Sequence, residues 1–174
     1  MIKHRERLGG FIPSRKPVTR QLNVPNLENF KQLLKSTGDR AVSSTMVFVR
    51  ILATLAKDKK IGHRIVPIVP YEARTFGMDG LFRQFGIYSR EGQKYKPEDS
   101  DQVMWYREAE DGVMLEEGIN EAGAMSAWIA LATSYSSNKL PMITFYIFYS
   151  MIGFQRVHYL PWAAGDARAR GFLL

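Results

Sequence analysis

The 174-residue chain contains no cysteine, which excludes disulfide bonds and metal sites built from thiolates. Its three histidines, His4, His63 and His158, lack the spacing of metal-binding pairs, so a metal held by protein side chains alone is not expected. The longest apolar run, from Pro141 to Tyr149, is far shorter than the roughly 20 residues of a membrane-spanning helix. No secretory signal pattern opens the chain, so we expect a soluble, cytoplasmic protein without membrane contact.

Positive charge is concentrated at the start of the chain. The net charge is +7, but six of the basic side chains and only one acid, Glu6, lie in residues 1–20, so the remainder is nearly neutral. Proline and glycine also interrupt this leader. We therefore predict a basic arm over residues 1–25 and a domain over residues 26–174. Nucleic-acid binding would rest on the arm alone and is not expected.

The apolar pattern alternates between helical and extended segments along residues 26–174. Helices are predicted at about 26–36, 45–57, 80–85 and 119–135, followed by helical turns over 150–164 that Pro161 interrupts. Strands are predicted at 65–69, 103–106, 113–115 and 142–148. This order predicts an α/β fold, a parallel sheet with helices on both faces. Because another buried strand begins at Gly171, we expect the domain to be truncated at its C-terminus.

Glu121 is the strongest candidate for chemistry. It follows a short extended segment, Val113 to Leu115, and falls in the first turn of a predicted helix among small residues. Ligands of α/β domains bind at the carboxyl ends of the strands, where such a junction lies. A glutamate in a first turn also complements the helix dipole, and spacing alone favours this explanation over a catalytic role.

Several motifs resemble one enzyme family. The pattern Gly118-Ile119-Asn120-Glu121-Ala122-Gly123 resembles the glutamate motif of thiamine diphosphate enzymes of the transketolase and pyruvate dehydrogenase group. Longer runs are similar to the homodimeric bacterial pyruvate dehydrogenases: Glu72-Ala73-Arg74-Thr75-Phe76-Gly77-Met78, Gly80-Leu81-Phe82-Arg83-Gln84, Ala132-Thr133-Ser134-Tyr135-Ser136 and Gly153-Phe154-Gln155-Arg156. The resemblance extends from about Gly9 to Leu174. It implies part of the middle, pyrimidine-binding domain of a longer polypeptide.

The resemblance implies that Glu121 faces the aminopyrimidine ring of thiamine diphosphate and shares a proton with it. We expect burial to raise the pKa of this carboxyl group. Glu72 would line the same crevice and interact with Glu121 through a proton or a water. A salt bridge from Glu72 to Arg74 or Arg40 is an equally good explanation of that residue.

Further candidates lie near the end of the predicted strand 142–148. Tyr149 is expected to reach the crevice and contact the pyrimidine. The family places an aromatic ring in this stretch, but position 152 holds Ile152, which offers packing without aromatic stacking. Arg156 is a candidate for substrate or subunit contact, against the alternative of an ordinary surface arginine.

The family's Gly-Asp-Gly diphosphate motif is missing from this chain. The resemblance therefore implies that Mg²⁺ and the diphosphate are held by a domain outside these residues, and that the isolated chain is inactive. It also implies two partners: a second copy of the subunit, and the lipoyl-bearing acetyltransferase of the pyruvate dehydrogenase complex. The full enzyme would decarboxylate pyruvate and transfer the acetyl unit to the lipoyl group. The alternative is a non-catalytic relic that serves as a dimerisation module.

Overall fold

The computed structural model describes residues 1–8, 10, 21–102 and 104–174. The helices are α1 (Ile2–Arg7), α2 (Lys31–Leu34), α3 (Ser44–Ala56), α4 (Phe82–Phe85), α5 (Glu121–Ser137), α6 (Ser150–Val157) and α7 (Tyr159–Asp166). The strands are β1 (Ile65–Val69), β2 (Ile87–Tyr88), β3 (Glu108–Ala109), β4 (Leu115–Glu116), β5 (Ile143–Tyr146) and β6 (Gly171–Leu173). Short 3-10 turns lie at Leu27–Phe30, Gly62–Arg64, Ala73–Phe76 and Asp79–Leu81.

A four-stranded parallel sheet in the order β4-β1-β5-β6 forms the centre of the fold. All five residues of β1 are buried, which explains its continuous apolar sequence, since helices cover both faces of a parallel sheet. The predicted α/β class, a parallel sheet with helices on both faces, is confirmed. None of the helices in the described part of the chain is both long and apolar enough to cross a bilayer.

Alternate residues of the central strands point to opposite faces of the sheet. Ile65 and Val69 of β1 belong to a core with Leu52 of α3, whereas Val66 and Ile68 belong to a second core under α5. The same alternation holds along β5 and just beyond it: one core contains Phe145 and Ile147, and the other contains Tyr146 and Phe148. The second core also holds apolar side chains of α5, namely Met125, Trp128, Ile129 and Ala132.

The predicted interruption of the last helical segment occurs between α6 and α7. Helix α6 ends at Val157, and Pro161 lies in the first turn of α7. A proline has no N–H to donate, and its ring clashes with the carbonyl four residues earlier, which here belongs to Val157. A proline in a first turn loses no helical hydrogen bond, so α7 tolerates it.

Two strand predictions are corrected by the structure. The strand predicted at 103–106 is not found: Val103 lies outside the described residues, and residues 104–106 form no strand. The strand in this region is instead β3, which pairs with β2 in a separate two-stranded parallel sheet. The strand predicted at Gly171 exists, but it is exposed and not buried, because among the described residues β6 pairs only with β5 and lies at the edge of the sheet. Residues 9 and 11–20 of the predicted basic arm lie outside the described residues, and the boundary after residue 25 stays a prediction.

Candidate functional site

The candidate site lies where β1 and β4 end side by side. Val69 and Glu116 are register partners at the carboxyl ends of these parallel strands. The chain then turns at Gly118, whose φ of 64° suits glycine, and enters α5. Asn120 caps this helix, because its side-chain oxygen accepts a hydrogen bond from the Gly123 N–H at 3.0 Å. Glu121 is therefore the first residue of α5, at the sheet edge where ligands of α/β folds bind.

The carboxylate of Glu121 is held by two side chains from distant segments. The Tyr71 hydroxyl donates a hydrogen bond of 2.9 Å to Oε1. The guanidinium of Arg156, on α6, forms an ion pair with the same oxygen. Glu121 is only 6% exposed, whereas the Arg156 side chain is 52% exposed. The hydroxyl of the buried Tyr146 donates a hydrogen bond of 3.3 Å to the main-chain carbonyl of Glu121.

These contacts set the protonation state of Glu121. Burial alone would raise its pKa, as the sequence suggested, but a backbone hydrogen bond, the Tyr71 hydroxyl and the Arg156 cation together lower the pKa below its usual value. The expectation of a raised pKa is therefore wrong for this structure, and Glu121 is a carboxylate at neutral pH. Burial, together with the hydrogen bond to this carboxylate, raises the pKa of Tyr71 to about 12, so the phenol stays protonated as a donor.

Acidification is expected to remove the stabilising contribution of Glu121. Because its folded-state pKa lies below the unfolded value of about 4.3, the contribution is present above that value and is lost as pH falls through the folded pKa. The free energy of unfolding, measured with urea, should be higher for wild type than for Glu121→Gln at about pH 7. We expect this difference to shrink as the pH is lowered to about 3. Glu110→Gln, at an exposed position, is the control. An advantage that stays constant over this range would contradict the assignment.

Tyr149 lies beside the Glu121 contacts. Its ring centroid is 5.1 Å from that of Tyr71 and 4.9 Å from that of Phe76, on which it stacks. Tyr149 is the residue before α6, and Ile152 lies on this helix together with Arg156. The side chains of Tyr149 and Ile152 are both about half exposed. These exposed surfaces are available to a ligand at the carboxyl edge of the sheet. The predicted cofactor contacts of Tyr149 and Ile152 stay predictions.

The structure shows the present contacts of Arg156 and Glu72, the two remaining candidates. Arg156, a candidate for substrate or subunit contact, forms an ion pair with Glu121 inside the site. Glu72 has an exposed side chain 3.9 Å from the Arg74 guanidinium, as in the salt-bridge alternative. Tyr71, and not Glu72, contacts Glu121 directly. The carboxylate that Glu72 influences is Glu116, whose pKa is raised mainly by burial and further by the charge of Glu72.

Three residues of this edge were not predicted from the sequence. Tyr71 and Tyr146 fix Glu121, and Glu116 supports the loop after β1, because its Oε1 accepts a hydrogen bond from the Ala73 N–H at 2.8 Å. Of these three residues, only Tyr71 could have been predicted from the sequence, because it follows the apolar strand β1 after a single proline. Residues 1–8, 10, 21–102 and 104–174 contain no group of three histidine, cysteine or carboxylate side chains placed to hold a metal ion.

Comparison with known proteins adds family information to this geometry. Residues 22–174 match the family model described as pyruvate dehydrogenase E1 component middle domain. The chain is 61% identical to the pyruvate dehydrogenase E1 components of Pseudomonas aeruginosa and Cupriavidus necator, in both cases covering 100% of this chain and 20% of the relative. It is 56% identical to the Escherichia coli K12 protein of that name over 98% of this chain and 19% of the relative. The chain thus spans about a fifth of the length of these relatives.

Proposed function

Because the chain belongs to the pyruvate dehydrogenase E1 component middle domain family, we propose that it forms the pyrimidine-binding part of a thiamine-diphosphate-dependent pyruvate dehydrogenase. That enzyme would decarboxylate pyruvate and pass the acetyl unit to a lipoyl group. One observation carries the proposal: a buried carboxylate, Glu121, stands at the carboxyl edge of a parallel sheet with only one of its oxygens engaged by the side chains of Tyr71 and Arg156.

The residues at this edge fit an aminopyrimidine ring. Such a ring offers a nitrogen that accepts or shares a proton and two apolar faces. Glu121 would meet the nitrogen, and the half-exposed surfaces of Tyr149 and Ile152 would contact a face of the ring. When bound, thiamine diphosphate supplies an acidic thiazolium carbon that becomes a nucleophile towards the carbonyl of a 2-oxo acid.

Glu121 would act through a proton shared between the ring nitrogen and Oε2, the oxygen that neither the Tyr71 nor the Arg156 side chain engages. In a site closed to water, a carboxylate facing the ring nitrogen can take and return a proton without moving, which is the requirement for general acid–base catalysis. Arg156 and Tyr71 hold the other oxygen, Oε1, in place. Arg156 itself is half exposed, so a negatively charged substrate or an opposing subunit could also approach it.

Further components are needed for the complete reaction. The described residues group no metal ligands, so we propose that Mg²⁺ and the diphosphate are bound by a domain outside this chain. The partners proposed are a second copy of the subunit and the lipoyl-bearing acetyltransferase of the complex. We therefore expect the purified 174-residue chain to show no pyruvate turnover in a coupled decarboxylation assay. Turnover comparable to that of a complete enzyme would contradict this division of the site.

The proposal is tested by a graft in which this chain replaces the matching segment of the Pseudomonas aeruginosa protein, to which it is 61% identical. We expect the graft to bind thiamine diphosphate with Mg²⁺ and to decarboxylate pyruvate. The unmodified Pseudomonas aeruginosa protein, prepared in parallel, is the control. A graft that folds and dimerises like the control but neither binds the cofactor nor turns over would contradict the proposal. Cofactor binding without turnover would indicate a non-catalytic module.

A further inference from the structure

The two side-chain contacts to Glu121 share one oxygen. Tyr71 donates to Oε1, and Arg156 pairs with the same atom, so neither side chain engages Oε2. A carboxylate has two equivalent oxygens, and fixing one of them fixes the direction of the other. Arg156 reaches the site from a half-exposed position on a flexible stem, whereas Tyr71 is a rigid ring with a single donor at its tip. Tyr71 is thus the better fixed of the two.

The Tyr71 ring is held on several sides. Pro70, directly before it, accepts a hydrogen bond from the Asn120 N–H at 3.3 Å, which ties the end of β1 to the start of α5. The Tyr149 ring lies 5.1 Å from the Tyr71 ring and itself stacks on Phe76. The backbone before Tyr71 and one side of its ring are thus held in the arrangement in which the hydroxyl donates to Glu121.

Gly153 of α6 provides the clearance for this hydroxyl. A Cβ atom at position 153 would lie 2.8 Å from the Tyr71 hydroxyl oxygen and 3.0 Å from the Phe148 ring. Real Cβ atoms do not approach an oxygen this closely, so α6 can pack against Tyr71 only because residue 153 is glycine. Helix α6 can therefore lie close enough to Tyr71 for the Arg156 side chain and the Tyr71 hydroxyl both to reach Oε1.

We infer that Tyr71 is a positioning residue for Glu121: its hydroxyl fixes Oε1 so that Oε2 is presented to the ligand, with Gly153 as the required gap. This inference rests on the proposed function for the identity of the ligand. Tyr71 does not touch the reacting atoms and acts through Glu121. The groups that face Glu121 are Tyr71, Arg156 and Tyr146, and Tyr149 faces Tyr71.

The first test needs no cofactor and uses the 174-residue chain with ¹³C-labelled glutamate. Tyr71→Phe keeps the ring and removes the donor, so the titration midpoint of Glu121 in NMR spectra should rise relative to wild type. Gly153→Ala should move it in the same direction by displacing the hydroxyl. Two controls should leave it in place: Tyr135→Phe, whose hydroxyl donates to the Arg168 carbonyl, and Gly165→Ala in α7, where a Cβ meets open space. An unchanged midpoint in Tyr71→Phe overturns the inference.

The second test uses the graft and measures hydrogen–deuterium exchange at the thiazolium carbon of bound cofactor by quenched NMR. We expect Tyr71→Phe to slow exchange roughly two- to tenfold, the effect of one hydrogen bond, with less than about a twofold change in cofactor affinity. In a Glu121→Gln background the same change should have no further effect, because Tyr71 acts only through that carboxylate. An equal effect in both backgrounds overturns the inference. Failure of the unsubstituted graft to exchange would instead count against the proposed function.

Discussion

Replacing Glu121 by glutamine in the graft is expected to lower pyruvate turnover by roughly a hundredfold to ten-thousandfold, the range of a lost general acid–base group. Glutamine keeps the length and shape of the side chain but cannot take up or return a proton. The helix cap is unaffected, because it depends on Asn120 and Gly123. The half-exposed Arg156 can be solvated once its partner is neutral, so folding should be preserved.

Steady-state turnover and cofactor binding should be measured on the same preparations of this variant. A large loss of turnover with near-normal binding is the signature of an interaction used in the transition state. Glu110→Gln removes an exposed carboxylate and serves as the matched control. Retention of turnover within about threefold of the unsubstituted graft would mean that Glu121 has only a structural role at the start of α5.

Trp128→Ala is expected to lower the free energy of unfolding by about 3–5 kcal/mol. Trp128 is 4% exposed and packs α5 onto the sheet in the core that contains Ile68 and Tyr146, so truncation leaves a cavity beneath the helix that carries Glu121. Trp162→Ala is the matched control, because this tryptophan is 68% exposed, and it should cost less than about 1 kcal/mol.

The measurement for this pair is urea unfolding followed by circular dichroism. Trp128→Phe separates packing from polarity, since the buried indole N–H of Trp128 has no hydrogen-bond partner in the described structure. Phenylalanine fills most of the space without burying a polar group. Trp128→Phe should therefore lower the free energy of unfolding much less than Trp128→Ala does. Equal destabilisation by Trp128→Ala and Trp162→Ala would show that α5 does not depend on this contact.

The parts of the fold that follow from local pattern were predicted from the sequence. The continuous apolar run Ile65–Val69 forms the buried central strand, as its composition requires when helices cover both faces. Pro161 ends α6 four residues earlier for a steric reason that is independent of tertiary structure. Short elements were predicted poorly, because the two-residue strand β3 carries too little periodicity to be recognised. The exposure of β6 depends on its neighbours in the sheet, which its own residues do not specify.

The candidate site was predicted only in part for a related reason. The position of Glu121 at the start of α5 follows from the order of strand, turn and helix. Its electrostatic environment does not, because Tyr71 and Arg156 are 50 and 35 residues away along the chain and are brought to Oε1 by the fold. Burial could be expected from sequence, but the donors that outweigh it could not. The direction of the pKa shift was therefore predicted incorrectly.

In the proposed complex an oxygen of Glu121 meets a ring nitrogen of the pyrimidine. Calorimetric titration of the graft with thiamine diphosphate, and with an analogue in which C–H replaces that nitrogen, tests it most directly. We predict that the graft discriminates against the analogue by about tenfold or more, the value of a hydrogen bond to a charged group. In Glu121→Ala this discrimination should fall to within about threefold, since the nitrogen then has no partner. Equal discrimination with and without the Glu121 carboxylate would contradict the account.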